Sequence, residues 1–245
     1  MSNSFADLFK RYNDHHPGKQ VTGESLAELL SNRKKGNLAL DIGAGDGIVT
    51  SYLAKYFNRV DAIERNEELT RSLELRAGNI NVINDDFLDC ELNDKYDFVL
   101  MSYVLDSYNK EKTGEIMRKI STIIAQDGII VAVSRKGGCD YSKFSEIVCA
   151  ELGIQRNGGM ANVAKRLAPN GYGCSLLKSF DSYIWGKDID DLFLNLSFFY
   201  KNNLDGYLGN KEKYTKLLRE FAREHNKKPA LHVREAIFEI KDSCQ

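Results

Sequence analysis

Short apolar segments alternate with amphipathic ones between residues 38 and 134, and this alternation constrains the fold more than any other feature. The segments are LALDIG, RVDAIE, INVIND, YDFVLMS and GIIVAVS, which begin at Leu38, Arg59, Ile80, Tyr96 and Gly128. They are mostly apolar throughout, which is typical of parallel strands covered by helices on both faces. Helices are predicted between them at 48–56, 67–75 and 110–125. We therefore expect a doubly wound α/β sheet with right-handed crossovers.

The second half of the chain has a less regular pattern. Helices are predicted at 142–152, 162–167, 190–200 and 211–225, and strands at 176–185 and 230–240. The last segment alternates between apolar and polar residues with one slip, which indicates a strand near a sheet edge. We expect a single domain over residues 1–245, with an N-terminal helical cap at 1–35 and a helical lid at 187–228.

Charge and cysteine content exclude some classes of protein. The net charge is -1, which argues against a protein whose whole surface binds nucleic acid. The five cysteines are odd in number and have no C-x-x-C spacing, so reduced thiols are expected and neither disulfides nor a metal site. The N-terminus has no basic-then-apolar signal pattern, and no apolar run approaches the roughly 20 residues of a membrane span. A soluble, cytoplasmic protein without membrane contact is the expectation.

Three glycines, Gly43, Gly45 and Gly47, fall between the first predicted strand and the helix after it. Glycines at such a junction let the backbone turn sharply and let a ligand lie against bare main chain, close to the unpaired N–H groups of the helix. Dinucleotides and S-adenosylmethionine both use this kind of junction. The spacing here is G-x-G-x-G instead of G-x-G-x-x-G, and Asp46 inside the turn would repel a pyrophosphate. The cationic S-adenosylmethionine is therefore the favoured ligand.

Acidic residues stand at the tips of the next two predicted strands. Glu64 ends the second strand, 19 positions after the middle glycine, where its carboxylate can accept hydrogen bonds from two ribose hydroxyls. Asp86 follows the third strand with Asp85 beside it, and its carboxylate can accept from the exocyclic amine of adenine. The next backbone N–H can donate to a ring nitrogen, and Phe87 or Leu88 can flank the ring.

The segments ALDIGAGDG, VDAIERN and INDDFLD resemble the successive motifs of class I S-adenosylmethionine-dependent methyltransferases. The resemblance covers about residues 36–135 and is only architectural beyond them. It implies a seven-stranded, mostly parallel sheet with an antiparallel last strand. It also implies S-adenosylmethionine as methyl donor and S-adenosylhomocysteine as product. The residues expected at the cofactor on this basis are Tyr12, Asp41, Gly43, Ala44, Gly45, Gly47, Glu64, Arg65, Asp85, Asp86, Phe87, Ser102 and Tyr103.

The methyl acceptor is expected to be a small molecule, because the charge is balanced and the stretch Phe193 to Tyr207 is rich in aromatic residues. We expect this stretch to line an apolar acceptor pocket, with simple coverage of the sheet as the alternative. Arg135 and Lys136, after the fifth strand, are placed to hold an acidic substrate. Candidates for catalysis, on position alone, are His15, His16, Tyr103 and Asp106.

Three other functions remain open at this stage. Ribosomal RNA adenine dimethylases carry an N-[LI]-P-[YF] motif after the fourth strand. The sequence here is Met101-Ser102-Tyr103-Val104, which disfavours methylation of a base amine but not of another RNA position or of a protein. An NAD-dependent oxidoreductase is disfavoured by the glycine spacing. A non-catalytic partner subunit is disfavoured by the intact set of cofactor residues.

Overall fold

The structure, a computed structural model, describes residues 4–76, 78–156 and 158–243. Cys244, one of the five cysteines, lies outside the described residues. The helices in chain order are α1 Phe5–Asp14, α2 Gly18–Ser31, α3 Ile48–Leu53, α4 Glu67–Glu74, α5 Lys110–Ile123, α6 Asp140–Leu152, α7 Met160–Leu167, α8 Ile189–Asn195, α9 Leu204–Gly209 and α10 Lys211–Phe221. The strands are β1 Gly36–Ile42, β2 Phe57–Ile63, β3 Ile80–Ile83, β4 Tyr96–Ser102, β5 Ile124–Lys136, β6 Tyr172–Trp185, β7 Arg223–His225 and β8 Lys228–Asp242.

The strands of the described residues form one mixed sheet in the order β3-β2-β1-β4-β5-β8-β6, with β7 paired to β8. The pairs β1–β2, β1–β4, β2–β3 and β4–β5 are parallel. Their apolar residues are buried as the sequence predicts; Val99, Leu100 and Met101 of β4 are each 0% exposed. The predicted fold class, a doubly wound and mostly parallel sheet with an antiparallel last strand, is confirmed, and the short β7 gives the sheet eight strands instead of the predicted seven.

The chain divides into two compact units. The first, which we call the sheet unit, comprises Gln20–Arg135, Asn157–Ser179 and Ala236–Gln245. The second, which we call the aromatic unit, comprises Met1–Lys19, Lys136–Arg156 and Phe180–Glu235. The predicted N-terminal cap at 1–35 contributes residues to both units, and the predicted lid at 187–228 is one part of the aromatic unit.

The aromatic unit has a core of its own. Phe193, Tyr200 and Tyr207 are each 0% exposed. Their rings stack, with centroids 4.5 Å apart for Phe193 and Tyr207 and 4.3 Å apart for Tyr200 and Tyr207. The Tyr207 hydroxyl donates to the Phe193 carbonyl at 3.0 Å, which satisfies a buried polar group. This burial favours core packing over a pocket lining for these three aromatic residues.

The end of the last helix is one correction to the sequence-based expectation. A helix is predicted through His225, but α10 ends at Phe221 because Ala222 has extended backbone angles, φ -65° and ψ 141°. Residues Arg223–His225 form β7, which pairs antiparallel with the start of β8. Asn226 and Lys227 have positive φ values, 51° and 62°, as the tight turn of such a hairpin requires.

No helix within the described part of the chain combines the length and the apolar character needed to cross a membrane.

Candidate functional site

The glycine-rich loop, residues 43–47, joins β1 to α3 in the sheet unit. Gly43, Gly45 and Gly47 all have positive φ, at 69°, 61° and 75°, a conformation that favours glycine. A Cβ added at Gly43 would lie 2.7 Å from Cγ2 of Val104, and one at Gly47 would lie 2.2 Å from Cδ1 of Leu73. The glycines are therefore needed both for the turn and for close packing around it.

Backbone hydrogen bonds from β2 hold this loop in place. The N–H groups of Gly43 and Ala44 donate to the Ile63 carbonyl at 2.8 and 3.0 Å. The Arg76 Nε donates to the Asp46 carbonyl at 2.6 Å. The loop is thus built with its own polar groups already engaged, which reduces the ordering that a ligand would have to impose.

Glu64 follows β2 and reaches the loop directly. Its Oε2 accepts a hydrogen bond from the Gly45 N–H at 3.0 Å, and its Oε1 accepts from the Asn66 N–H at 2.8 Å. Glu64 is predicted from its sequence position to bind a ribose, and its hydrogen bond to Gly45, 19 residues earlier in the chain, gives it a structural role that was not predicted. A carboxylate oxygen has two lone pairs, so each oxygen can still accept from one of two vicinal hydroxyls.

Asp41, near the end of β1, is 1% exposed. Its Oδ2 accepts a hydrogen bond from the Thr50 hydroxyl at 2.7 Å, which connects the strand to α3 across the glycine-rich loop. This contact supplies one of the hydrogen-bond donors that a buried carboxylate needs.

The tip of β3 presents a compact acidic turn. Asp86 Oδ1 accepts from the Leu88 N–H at 3.1 Å, and its Oδ2 lies 3.4 Å from Nη1 of Arg65. Asp85 Oδ1 accepts from the Asp86 N–H at 2.8 Å.

The Phe87 ring is 5% exposed and packs in the core, so its side chain is poorly placed to flank a ligand. Its backbone N–H has no hydrogen-bond partner among the described residues, which suits the predicted donation to an adenine ring nitrogen.

Tyr108 is predicted from the sequence as a candidate group near the methyl acceptor, because it follows the fourth strand, but it is not among the predicted cofactor residues. Burial raises the pKa of its phenol, and the carboxylates of Asp86 and Glu64 raise it further, whereas Arg65 and Lys112 oppose the shift. The acidic groups at the tips of both β2 and β3 therefore act electrostatically on the Tyr108 hydroxyl. Nothing in its local sequence signals this position, because it depends on how the segment after β4 folds back.

The turn after β4 contains a strained residue. Tyr103 has φ 60°, which is rare for a bulky side chain and is found where surrounding structure imposes it. Its N–H donates to the Val133 carbonyl at 2.9 Å, and its hydroxyl lies 3.4 Å from the Thr22 hydroxyl. The neighbouring Ser102 Oγ is buried and has no hydrogen-bond partner within the described residues. A buried hydroxyl of this kind calls for a ligand or water partner.

A polar cluster built around Asp106 lies beyond Tyr103. Asp106 Oδ1 accepts from the Ser134 hydroxyl at 2.5 Å and from the Gly159 N–H at 3.2 Å, while Oδ2 is 3.9 Å from Nη1 of Arg135. Burial raises the pKa of the Asp106 carboxyl, although Arg135 and Arg166 pull it down. The structure thus brings together two predicted candidates, Tyr103 and Asp106, with two arginines.

The remaining sequence-predicted candidates belong to the aromatic unit. The Tyr12 hydroxyl lies 2.5 Å from Nδ1 of His16, whose Nε2 lies 2.9 Å from the Ser182 hydroxyl and 3.4 Å from Glu235. Tyr12, His16 and Glu235 are 6%, 4% and 0% exposed. The His15 and Trp185 rings pack at a tilted angle of 56°, with centroids 4.6 Å apart. Within this unit Tyr12 and His16 form a buried polar network, and a role at the cofactor stays a prediction.

The sheet-unit residues fit an adenosyl amino acid on four independent points. The loop makes its turn at three positive-φ glycines, and Glu64 keeps accepting capacity for a sugar diol. The Phe87 N–H is a donor without a partner in the described residues. The Ser102 Oγ is a buried hydroxyl without one. All four lie at the carboxyl ends of parallel strands, where ligands bind in open α/β sheets.

Comparisons with known proteins also indicate a methyltransferase. The profile of a family described as a methyltransferase domain matches residues 39–128. A protein of Alkaliphilus oremlandii named as an uncharacterized methyltransferase is 26% identical over 198 residues, which are 80% of this chain and 80% of that protein. The ribosomal protein L11 methyltransferase of Campylobacter concisus is 32% identical over 96 residues, 38% of this chain and 33% of that protein.

The solved structure of the YcgJ protein from Bacillus subtilis shares the fold. It superposes with a TM-score of 0.63 at 12% sequence identity and covers 90% of this chain and 97% of its own.

Proposed function

Because this chain is a class I S-adenosylmethionine-dependent methyltransferase, we propose that it methylates a small molecule and not RNA or a protein. The observation that carries the proposal is the enclosure of the polar groups after β4 and β5. The side chains of Arg135 and Asp106 are 17% and 9% exposed. Small-molecule sites are concave and shielded, with a few convergent polar groups, which matches this arrangement.

These groups also lie beside the glycine-rich loop. The contact between Val104 and Gly43 brings the segment after β4 directly against the loop, one residue beyond Tyr103. An acceptor bound by the segment after β4 is therefore close to the cofactor that the glycine-rich loop is proposed to bind. A macromolecular acceptor would need an exposed platform at this place, and the shielded side chains favour a compact molecule instead.

Cofactor binding is proposed for the sheet-unit residues of the predicted set. Glu64 accepts from the ribose hydroxyls, Asp86 from the adenine amine, and the Phe87 N–H donates to the adenine ring. Ser102 and Tyr103 bind near the methionine part. In this scheme the Phe87 ring packs in the core and only its backbone serves the ligand.

S-adenosylmethionine supplies an electrophilic methyl carbon on a sulfonium, so little acid–base chemistry is required of the chain. The residues after β4 and β5 have to hold the acceptor in line with the S–CH3 bond and exclude water. Such positioning contributes on the order of 7–11 kcal/mol to a bimolecular reaction. Catalysis mainly by positioning follows, with no side chain assigned as a general base.

Two alternatives have less support. The L11 methyltransferase is matched over 33% of its length, which does not justify transferring its protein acceptor to this chain. An NAD-dependent oxidoreductase would place a pyrophosphate at the glycine-rich loop, close to the carboxylate of Asp46, whose Oδ1 accepts from the Ile48 N–H at 3.4 Å. Like charges at such short range are unfavourable.

Incubation of cell extract with the protein and S-adenosylmethionine labelled at the methyl group tests the proposal. We expect protein-dependent label in the fraction that passes a small-pore ultrafiltration membrane, and much less label with the Glu64→Ala variant at the same cofactor concentration. Label found only in RNA or in polypeptide would contradict a small-molecule acceptor while leaving methyl transfer itself intact.

A further inference from the structure

The end of α10 and the β7–β8 hairpin form an open pocket in the aromatic unit. Its volume is about 310 Å³, at the lower end of the range of small-molecule sites. Four cations line it, Arg219, Arg223, Lys227 and Lys228, together with one acid, Glu224. Four positive charges and one negative charge leave the lining with an excess of three positive charges.

The chain does not neutralise this excess through ion pairs. Nearer the start of α10, Lys211 and Lys213 bind Asp190 and Glu151, each at 2.8 Å. By contrast, none of the four cations of the pocket has an ion-pair partner within residues 4–76, 78–156 and 158–243. Cations of like charge that lie close together repel each other, so an anion from solution would stabilise them.

Arg223 is fixed through only one of its nitrogens. Nη1 donates to the Glu220 carbonyl at 2.9 Å and to the Ala222 carbonyl at 3.1 Å, which satisfies carbonyl groups at the C-terminal end of α10. Its Nε and Nη2 donate to no other group of the described residues. These two nitrogens form one edge of the guanidinium, the edge that can bind two oxygens of a phosphate at once.

The hairpin that carries the two lysines is held firmly. His225 of β7 pairs with Lys228 of β8, and the His225 ring stacks on Tyr183 with centroids 3.9 Å apart. The Lys228 Nζ lies 3.7 Å from the centroid of the Trp185 ring, a cation–π contact that positions the ammonium without neutralising it. The pocket is therefore largely formed before a ligand arrives, which lowers the cost of binding.

Lys227 occupies a backbone position that usually belongs to glycine. It is the second residue of the two-residue turn between β7 and β8, and its φ is 62°. Turns with positive φ at both central residues prefer Asn followed by Gly, whereas here Asn226 is followed by Lys227. Backbone strain of this kind is often retained at ligand-binding positions. The strained residue adds one of the four cations to the pocket.

We propose that this pocket binds a small molecule that carries two linked phosphate groups. One phosphate monoester brings a charge of only about −1.5 to −2 at pH 7, whereas a diphosphate comes close to balancing the excess of three. The apolar lining residues Ile189, Ala222 and Pro229 provide contacts for an organic part of the ligand. A pocket of this size favours a compact anion over an RNA strand, whose backbone needs an extended groove.

Calorimetric titration of the full chain with inorganic pyrophosphate and with ADP, in magnesium-free buffer at physiological salt, tests the proposal. We expect pyrophosphate to bind roughly tenfold or more tightly than orthophosphate, and Arg223→Gln to weaken it about three- to tenfold. Lys216→Gln, at an exposed site on α10 outside the pocket, is the matched control and should change the affinity less than about twofold. Tighter binding of ADP than of pyrophosphate would identify an organic diphosphate, and equal binding would identify pyrophosphate itself.

Lys227→Gly separates binding from folding. Glycine relieves the positive-φ strain, so this variant should unfold at a higher urea concentration than the unaltered protein. It also removes a cation, so it should bind pyrophosphate about three- to tenfold more weakly. Glu224→Gln removes the acid of the lining and should strengthen pyrophosphate binding.

Three results would overturn the proposal. The first is that neither diphosphate binds more tightly than orthophosphate. The second is an equal loss of affinity in Lys216→Gln and Arg223→Gln, which would indicate diffuse attraction to a charged surface. The third is tighter binding of a short single-stranded oligouridylate than of pyrophosphate, with the same loss in Arg223→Gln, which would indicate a nucleic-acid surface instead.

Discussion

At the residue scale, Tyr103 offers a direct measurement of backbone strain. Alanine and glycine remove the same side chain at this position, but only glycine accepts φ 60° without cost. We expect Tyr103→Gly to be more stable than Tyr103→Ala by about 1 kcal/mol in denaturant unfolding.

Tyr108 is the matched control for this comparison, because its φ is -107°. There the order should reverse, with the alanine variant more stable by roughly 0.5–1 kcal/mol. If the alanine variant were the more stable one at both positions, the left-handed turn at Tyr103 would not be under strain.

Glu64 combines a structural bond and a proposed ligand contact, and two substitutions separate them. Glu64→Ala should weaken S-adenosylhomocysteine binding by about ten- to a hundredfold, since it removes the acceptor of two hydroxyl hydrogen bonds. Glu64→Gln keeps one carbonyl oxygen and should fall between this variant and the unaltered protein. Glu67→Gln, whose side chain is 72% exposed on α4, should change the calorimetric affinity less than twofold. Equal affinities for all four proteins would remove Glu64 from the site.

The buried carboxyl of Asp106 predicts a pH dependence of stability. Its pKa is raised above the ordinary value of 3.8, chiefly by burial, so the folded state retains a proton that the unfolded chain releases. The free energy of unfolding should therefore fall as the pH rises from about 4 through the raised pKa. Asp106→Asn does not titrate, and its stability relative to the unaltered protein should increase over that window in urea titrations at several pH values. A difference that stays constant with pH would contradict the raised pKa.

Residues of the candidate site were predictable where the signal is local. The three glycines are visible in the sequence, and the acids at the tips of the next two strands separate a ligand-binding loop from a purely structural tight turn. The hydrogen bond from Gly45 to Glu64 and the position of Tyr108 beside two acids depend on segments that meet only in the folded chain. The Phe87 ring was expected beside the ligand, but its apolar character fits the core equally well, and the local sequence does not distinguish the two.

At the scale of elements, Asp61 accepts side-chain hydrogen bonds that connect three strands. It is 3% exposed in β2 and accepts from Arg59 of the same strand, from Asn81 of β3 at 3.0 Å and from the Tyr96 hydroxyl of β4 at 2.8 Å. Burial raises the pKa of the Tyr96 phenol, and its bond to Asp61 raises it further, as expected for a donor to a carboxylate.

Removing that charge should loosen the edge of the sheet. We expect Asp61→Asn to lower the free energy of unfolding by roughly 2–3 kcal/mol, because the amide satisfies fewer of the donors. Arg59 also binds Asp94, whose side chain is 55% exposed, and Asp94→Asn should cost no more than about 0.5 kcal/mol. A similar loss for both variants in chemical denaturation would show that burial does not set the strength of this contact.

The limits of individual elements were predicted with uneven accuracy: α5 was expected at 110–125 and is Lys110–Ile123, whereas β5 was expected at 128–134 and is Ile124–Lys136. The limits of β4 agree with the sequence prediction at both ends, since its run of buried apolar residues is bounded by polar ones. In contrast, α3 was expected to reach Tyr56 and stops at Leu53, because Phe57 already belongs to β2. Helical periodicity does not show where the next strand begins, and the start of that strand ends the helix. For the same reason the sequence does not show that α10 ends where β7 begins.

At the scale of the whole molecule, two large buried clusters of the described residues share no residue. The apolar cluster around β1, β4 and α5 belongs to the sheet unit, and the cluster around Phe193, Tyr200 and Tyr207 belongs to the aromatic unit. Twelve of the thirteen residues expected at the cofactor fall in the sheet unit, and Tyr12 alone falls in the other. Stability and cofactor affinity should therefore respond to different cores.

Phe193→Ala tests this separation. Phe193 is 0% exposed, so its truncation should lower the free energy of unfolding by about 3–5 kcal/mol. The dissociation constant of S-adenosylhomocysteine, measured below the new melting transition, should change less than twofold, because none of the sheet-unit contacts involves this ring. Leu194→Ala, at a half-buried site on the same helix, is the control for a smaller loss of packing. A tenfold weaker dissociation constant in a still-folded Phe193→Ala protein would show instead that packing in the aromatic unit supports cofactor binding, and Tyr12 would then be the first residue to substitute.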